Sequence, residues 1–187
     1  MKKITLLLTS VFLLTGFSVS STAKSVVDTD KTVFKWKGSK KVGSHHWGFI
    51  KLKSAKASVD GDKISSGEFV MDMTSFTVED LSGEWEQKFL THVKTEDFFL
   101  VKKWPTAKLV ITGQPAANKV SGNLTVKDKT HPVTIPFEKK DGKYVGTLTF
   151  DRTKYGITYG SENFFKNLVA DRVINNEVEV SFEIVLK

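Results

Sequence analysis

The sequence predicts an all-β domain of roughly eight antiparallel strands, closed into a barrel or folded as a sandwich. Apolar and polar residues alternate along most of the chain, as they do in strands that bury one face. Turn residues separate these segments, and one segment has helical spacing instead. A barrel is preferred because closure removes the sheet edges, and because the buried faces carry bulky side chains that suit a barrel interior.

The strand signals differ in strength along the chain. Aromatic residues alternate with lysines in residues 33–37, and Phe69, Met71 and Met73 share one face of a later segment. The last segment, residues 178–186, is the clearest, with an apolar residue at every second position. Further alternating segments are residues 109–111, 120–126, 133–137 and 144–150. Each predicts a strand with one dry face.

Glycine, proline and aspartate mark the predicted turns. Asp141 and Gly142 indicate a hairpin turn, and residues 60–62 give a similar signal. A turn is also expected at residues 113–115, which begin with Gly113 and end with Pro115.

Residues 84–93 are predicted to form the helix that interrupts the strands. Trp85 and Phe89 recur there at helical spacing, followed by His92 or Val93. An amphipathic helix between strands has to bury its apolar side, so Trp85 and Phe89 are expected to cover the mouth of the barrel.

Residues 1–23 have the order of a secretory signal peptide. Lys2 and Lys3 precede an apolar run over residues 4–17, and Ala23 ends a stretch of small residues suited to cleavage. The run is shorter than the ~20 residues of a membrane span. We therefore expect cleavage after Ala23, a mature domain over residues 24–187 without a stable membrane span, and a periplasmic or secreted location.

Composition narrows the functional classes. The chain of 187 residues suits one domain, and the absence of Cys excludes disulfides, thiol catalysis and cysteine zinc sites. The net charge of +7 comes from lysines scattered along the chain, which is weak support for a nucleic-acid partner. No nucleic-acid partner is expected, and the sequence leaves a homodimer open.

The histidines and hydroxyl residues give weak signals for chemistry. His45 and His46 are adjacent, but neighbours on a strand point to opposite faces, so no metal site is expected. No Gly-x-Ser-x-Gly motif is present. A small exported hydrolase remains an alternative, because a spatial triad is invisible in sequence.

The aromatic residues allow two interpretations: an elongated apolar cavity, or a solid core in a structural, stress-protective barrel. An exported protein works where lipids need carriers, which favours the cavity. The predicted contacts with a lipid chain are Trp36, Phe69, Met71, Met73, Phe89, Phe98, Phe99, Leu148, Phe150 and Phe182. The predicted headgroup contacts are Arg152, Tyr155 and His46, with Arg152 held over an aromatic-lined mouth.

Three ordered segments carry a family resemblance. They are residues 92–107 (HVKTEDFFLV, then WPTA), residues 120–133 (VSGNLTVKDKTHPV) and residues 150–157 (FDRTKYGI). Together they resemble the YceI-like family of exported lipid-binding proteins. The resemblance implies a lipocalin-like, eight-stranded antiparallel barrel with a helical insertion at its mouth. It also implies an elongated hydrophobic cavity that binds a polyisoprenoid chain, an isoprenoid quinone or a fatty amide. We therefore expect an exported, non-enzymatic lipid-binding protein without a cofactor.

Overall fold

The computed structural model describes residues 27–61 and 63–187, so the predicted signal peptide lies outside the described residues. Within these ranges, nine antiparallel strands and one α-helix are present. The strands are β1 Val33–Lys40, β2 His45–Phe49, β3 Lys51–Asp60, β4 Lys63–Asp72, β5 Thr106–Ala116, β6 Lys119–Val126, β7 Lys129–Lys140, β8 Lys143–Asp151 and β9 Ile174–Val185. The helix α1 is Gly83–Val93, and short 3-10 helices lie at Met73–Ser75, Arg152–Tyr155 and Ala170–Arg172.

The strands form one strongly curled sheet in the order β2-β1-β9-β8-β7-β6-β5-β4-β3. Strands β2 and β3 stand at opposite ends of this order, yet Ile50 alone separates them in the chain. The two edges of the sheet therefore meet at Ile50, whose N–H donates to the carbonyl of Phe34 at 3.1 Å. The predicted all-β antiparallel class is confirmed. The strand count is nine rather than eight, because the pairing partner changes at Ile50. Strand β2, before Ile50, pairs with β1, and strand β3, after it, pairs with β4.

The curled sheet has two distinct ends. The turns of the β3–β4, β5–β6 and β7–β8 hairpins lie at one, the hairpin end. The connection from β4 to β5, which contains α1, lies at the other, the helical end. His131 is near the start of β7, at the end of that strand opposite the β7–β8 turn. Its Nε2 lies 3.0 Å from the carbonyl oxygen of Lys154 in the 3-10 helix Arg152–Tyr155, so this 3-10 helix also lies at the helical end.

The predicted turns have mixed outcomes. Asp141 and Gly142 form the β7–β8 turn with φ values of 50° and 77°, as a tight hairpin requires. The turn predicted at residues 113–115 is wrong, because β5 continues to Ala116. The register of β5 against β6 shifts on both sides of Gly113. These irregularities admit a glycine and a proline within a strand.

Helix α1 occupies almost the predicted residues, beginning one residue earlier at Gly83. Phe89 and Leu90 pack against the core, and Val93 is buried. Trp85 is 70% exposed, so the expectation that it covers the barrel is wrong. It lies one turn before Phe89, about 6 Å along the helix axis and near the start of α1. Among the described residues, no helix has the length and apolar character needed to cross a membrane.

Candidate ligand-binding cavity

The curled sheet surrounds an apolar cavity of about 140 Å³. By the same measure one water molecule needs roughly 10–15 Å³, so the cavity is a real void rather than a packing defect. Inward-facing residues of β1 and of β3 to β9 line it, together with residues from the β4–β5 connection. Apart from Lys108 and Tyr144, every described residue of the lining is apolar.

Strand periodicity places most of the predicted chain contacts on this lining. Phe69 and Met71 face inward from β4, and Met73 continues the same face into the following 3-10 helix. Eight of the ten predicted residues line the cavity. They are Trp36, Phe69, Met71, Met73, Phe99, Leu148, Phe150 and Phe182. Their contact with a lipid remains a prediction.

Phe89 and Phe98 lie outside the lining, at the helical end. Phe89 stacks on Trp36 with the ring centroids 5.8 Å apart, and so supports a residue that does line the cavity. Phe98 packs against Tyr159 and the ring of His92, at 5.4 Å and 5.1 Å. Their roles are therefore more indirect than predicted.

Trp36 is fixed at the helical end by contacts on several sides. Its ring stacks on Phe76 at 4.5 Å, and its Nε1–H donates to the carbonyl of Thr77 at 2.9 Å. Gly48 makes this approach possible, because a Cβ there would lie 2.1 Å from the Thr77 oxygen. Gly48 was missed in the sequence, where nothing near it signals that a distant segment crosses the strand.

Arg152 is a structural clamp. Only 3% of the residue is exposed, and it does not line the cavity. Its guanidinium donates to the carbonyls of Asn175, Ile157 and Ile174 at 3.0, 2.8 and 2.9 Å. Burial lowers the pKa of Arg152, and the neighbouring Asp151 opposes this shift. The predicted headgroup role does not fit this placement, because the donors are directed at backbone carbonyls.

Tyr155 is also buried behind the lining, with 1% exposure. Its ring meets Phe150 and His131 edge-to-face, with centroids 5.5 and 5.0 Å away. Burial, with a smaller contribution from Asp151, raises the pKa of Tyr155 to about 12. The phenol therefore stays neutral at physiological pH and supports Phe150 rather than facing the cavity.

His46 lies at the helical end, outside the lining. Its Nδ1 is 2.8 Å from Asp80 Oδ2, and its ring is 5.0 Å from that of Phe89. Desolvation acts to raise the pKa of Asp80, but hydrogen bonds from the Trp47 N–H and from His46 outweigh it and lower that pKa. The pair joins β2 to the segment before α1, so any headgroup contact by His46 has to occur outside the cavity.

Among residues 27–61 and 63–187, no group of three or more His, Asp or Glu side chains is placed to hold a metal ion. Two imidazole–carboxylate pairs occur, His46 with Asp80 and His92 with Asp97, the latter at 2.9 Å. In the same part of the chain, no Ser or Thr hydroxyl is hydrogen-bonded to a histidine ring.

Tyr144 is a site residue that the predicted set omitted. It lines the cavity from β8, close to the hairpin end, and its hydroxyl is buried with no hydrogen-bond partner among the described residues. The alternation of residues 144–150 already placed Tyr144 on the inward face. Its lack of a partner could be learned only from the structure.

The fold and the cavity define a class, an all-β domain wrapped around an apolar void. The chain belongs to the YceI-like domain family, whose model matches residues 25–186. None of the curated proteins searched matches it.

Solved structures share the fold at low sequence identity. BcnA of Burkholderia cenocepacia is 23% identical, with a TM-score of 0.62 over 84% of this chain and 98% of that one. A polyisoprenoid-binding domain from Saccharophagus degradans, implicated in plant cell wall breakdown, is 14% identical, with a TM-score of 0.53 over 85% and 95%. A mutant Campylobacter jejuni YceI protein with a monobromobimane guest is 15% identical, with a TM-score of 0.50 over 74% and 84%.

Proposed function

We propose that this protein is a non-enzymatic carrier that holds a long apolar lipid in its cavity. The observation that carries the proposal is the lining, which is aromatic and aliphatic and includes Met71 and Met73 within a curled sheet. The YceI-like family and the structural likeness to a polyisoprenoid-binding domain support it. The ligand classes we propose are a polyisoprenoid, an isoprenoid quinone or a fatty amide.

Hydrophobic burial supplies the driving force for retention of the lipid. Burying ~300 Å² of an apolar chain contributes roughly 7 kcal/mol before ordering costs, at about 25 cal/mol per Å². A micromolar complex needs a net ~8 kcal/mol, and ordering costs are subtracted from the gross contribution. A bound chain therefore has to bury more than ~300 Å² to be retained at that affinity by hydrophobic burial alone.

The cavity is small, and this limits how a lipid fits. Its volume of about 140 Å³ is below the ~300–1,000 Å³ typical of small-molecule sites. A bound chain therefore has to be slender, and the lining has to yield to it. Met71 and Met73 suit that requirement, because methionine is unbranched and adapts to irregular shapes.

We also propose that the protein acts in the periplasm or outside the cell, after cleavage behind Ala23. The family match begins at residue 25, just after the proposed cleavage position, and supports this boundary. Sequencing the N-terminus of protein from the producing cell tests the proposal. Lys24 is the expected first residue, and an intact Met1 on the soluble protein contradicts it.

The substitution Met71→Trp tests the carrier function, since Met71 is half-buried and lines the cavity. Lipid-free parent and variant are titrated with farnesol by displacement of an apolar fluorescent dye. The added bulk is expected to weaken farnesol binding at least tenfold while the lipid-free melting temperature stays within a few degrees. Val42→Trp, on an exposed loop, is the matched control and is expected to change neither.

A filled core gives a different result. The lipid-free parent then binds no farnesol, and overpacking costs Met71→Trp about 1–3 kcal/mol. For a chain of this size that loss lowers the melting temperature by roughly 2–12 °C. This combination would contradict the carrier function.

A further inference from the structure

The hydroxyl of Tyr144 is a polar group in an otherwise apolar place. Tyr144 is 4% exposed and lines the cavity. Among residues 27–61 and 63–187, its oxygen has no hydrogen-bond partner. A buried hydroxyl without a partner is unfavourable, and buried polar groups in proteins are almost always paired. Such a group calls for an explanation.

Tyr144 is the uncharged polar residue of this lining. Lys108 is the other polar lining residue, but it is exposed and its Nζ lies 3.8 Å from Glu68 Oε2 on the outside of the sheet. Lys139 Nζ lies 5.8 Å from the centroid of the Tyr144 ring, but Lys139 is exposed and absent from the lining. Among the described residues, the lining thus includes one residue with a buried hydroxyl and no buried charge. In the free protein the hydroxyl of Tyr144 is almost completely covered, so a ligand group reaches the oxygen only as the lining yields.

The hydroxyl-bearing residue lies far from the helical end. Tyr144 is the second residue of β8, beside the β7–β8 turn, and Phe150 is the last lining residue of the same strand. Six residues of extended strand separate them, which is roughly 20 Å. Lining residues continue between the two positions, as Leu148 shows. A ligand group near Tyr144 is therefore one strand length away from α1.

We propose that Tyr144 binds an uncharged oxygen or amide group of the lipid at the hairpin end of the cavity. This rests on the proposed carrier function and narrows its ligand class. An alcohol, a carbonyl or an amide can pair with a phenol, which both donates and accepts a hydrogen bond. A carboxylate or phosphate is disfavoured, because no buried positive charge offsets its desolvation. The apolar chain then extends toward Trp36 and Phe150 at the helical end.

The test compares two probes that share one isoprenoid chain. Farnesol carries a terminal hydroxyl, and farnesene carries no polar atom. Both are titrated into the lipid-free parent and into Tyr144→Phe, which removes a single oxygen. The variant is expected to bind farnesol about tenfold more weakly, the effect of one lost hydrogen bond in a buried site. Its affinity for farnesene is expected to be unchanged or slightly higher.

Tyr159→Phe is the matched control, because Tyr159 is 41% exposed and outside the lining. It is expected to leave both affinities at the parental values. The lipid-free Tyr144→Phe variant is expected to melt at or above the parental temperature, since the lost hydroxyl has no protein partner to leave unpaired. A lower melting temperature contradicts the inference by showing that the hydroxyl is already paired in the free protein.

The outcomes separate this inference from the proposed function. If the parent and Tyr144→Phe bind farnesol equally, or if Tyr144→Phe loses farnesol and farnesene to the same extent, the Tyr144 site is wrong and the carrier function stands. If the parent binds neither probe, the carrier function itself fails.

Discussion

Replacing Arg152 is expected to destabilise the fold rather than to remove a lipid contact. The guanidinium of Arg152 donates to three backbone carbonyls, one on Ile157 and two at the start of β9, on Ile174 and Asn175. It thereby ties the segment after β8 to the neighbouring strand. The substitution Arg152→Met keeps much of the side-chain length and removes every donor.

The size of the effect follows from the fate of those carbonyls. A buried acceptor that loses its donor costs about 1–3 kcal/mol. Ile157 is fully buried, whereas Ile174 and Asn175 are partly exposed and can recover water. We therefore expect Arg152→Met to lose about 3–6 kcal/mol of unfolding free energy, a large part of the ~5–15 kcal/mol typical of a domain.

Urea denaturation of the lipid-free protein measures this loss. Lys154→Met removes an exposed cation two residues away and is expected to change stability by less than about 0.5 kcal/mol. Arg152→Lys keeps the charge without the planar fork and is expected to lie between Arg152→Met and the parent. The reasoning is refuted if Arg152→Lys has parental stability but has lost its affinity for farnesol, because that pattern indicates a headgroup contact.

Three further predictions concern the helical end and can be measured with the same urea assay. Asp80→Asn is expected to lower the free energy of unfolding at pH 7, and this loss should be smaller at pH 3. The native pKa of Asp80 is below 3.8, so the stabilisation by its carboxylate is fully present above pH 3.8. That stabilisation is lost as the pH falls through the native pKa. A deficit that is the same at both pH values contradicts the His46–Asp80 interaction. Phe89→Ala is expected to lower the free energy of unfolding by about 1–3 kcal/mol, because Phe89 stacks on Trp36. Trp85→Ala is expected to lower it by less than about 0.5 kcal/mol, because Trp85 is exposed. A larger loss for Trp85→Ala than for Phe89→Ala contradicts the packing of α1. Gly48→Ala is expected to destabilise the protein and to shift the fluorescence of Trp36. The new Cβ at position 48 collides with the Thr77 carbonyl that accepts the indole N–H of Trp36. An unchanged emission spectrum and unchanged stability count against that contact.

Strand periodicity predicted much of the cavity, because alternate residues of a strand share a face whatever the order of strands in the sheet. Phe69 and Met71, or Leu148 and Phe150, needed only their own segment to be placed correctly. The same reasoning places Tyr144 on the inward face of its strand, but an alternating pattern does not show whether its hydroxyl has a hydrogen-bond partner.

The incorrect predictions concern contacts that a local sequence pattern does not reveal. The partners of Arg152 on β9 lie 22 and 23 residues further along the chain, so a headgroup contact and a carbonyl clamp have the same local sequence. Trp85 and Phe89 have the same helical spacing, but spacing does not show which turns of a helix contact the core. The predicted strand count missed the break at Ile50, since a change of pairing partner leaves the alternation of a strand nearly intact.

The most direct test of the carrier function is native mass spectrometry of the protein purified gently from the cell that produces it. The carrier function predicts a parent mass that includes an adduct of lipid size, which organic extraction removes and incubation with farnesol replaces. Met71→Trp purified in the same way is expected to carry markedly less of the adduct. A parent protein with a clean lipid-free mass, and no uptake of farnesol after incubation, would contradict the claim that the cavity holds an apolar lipid.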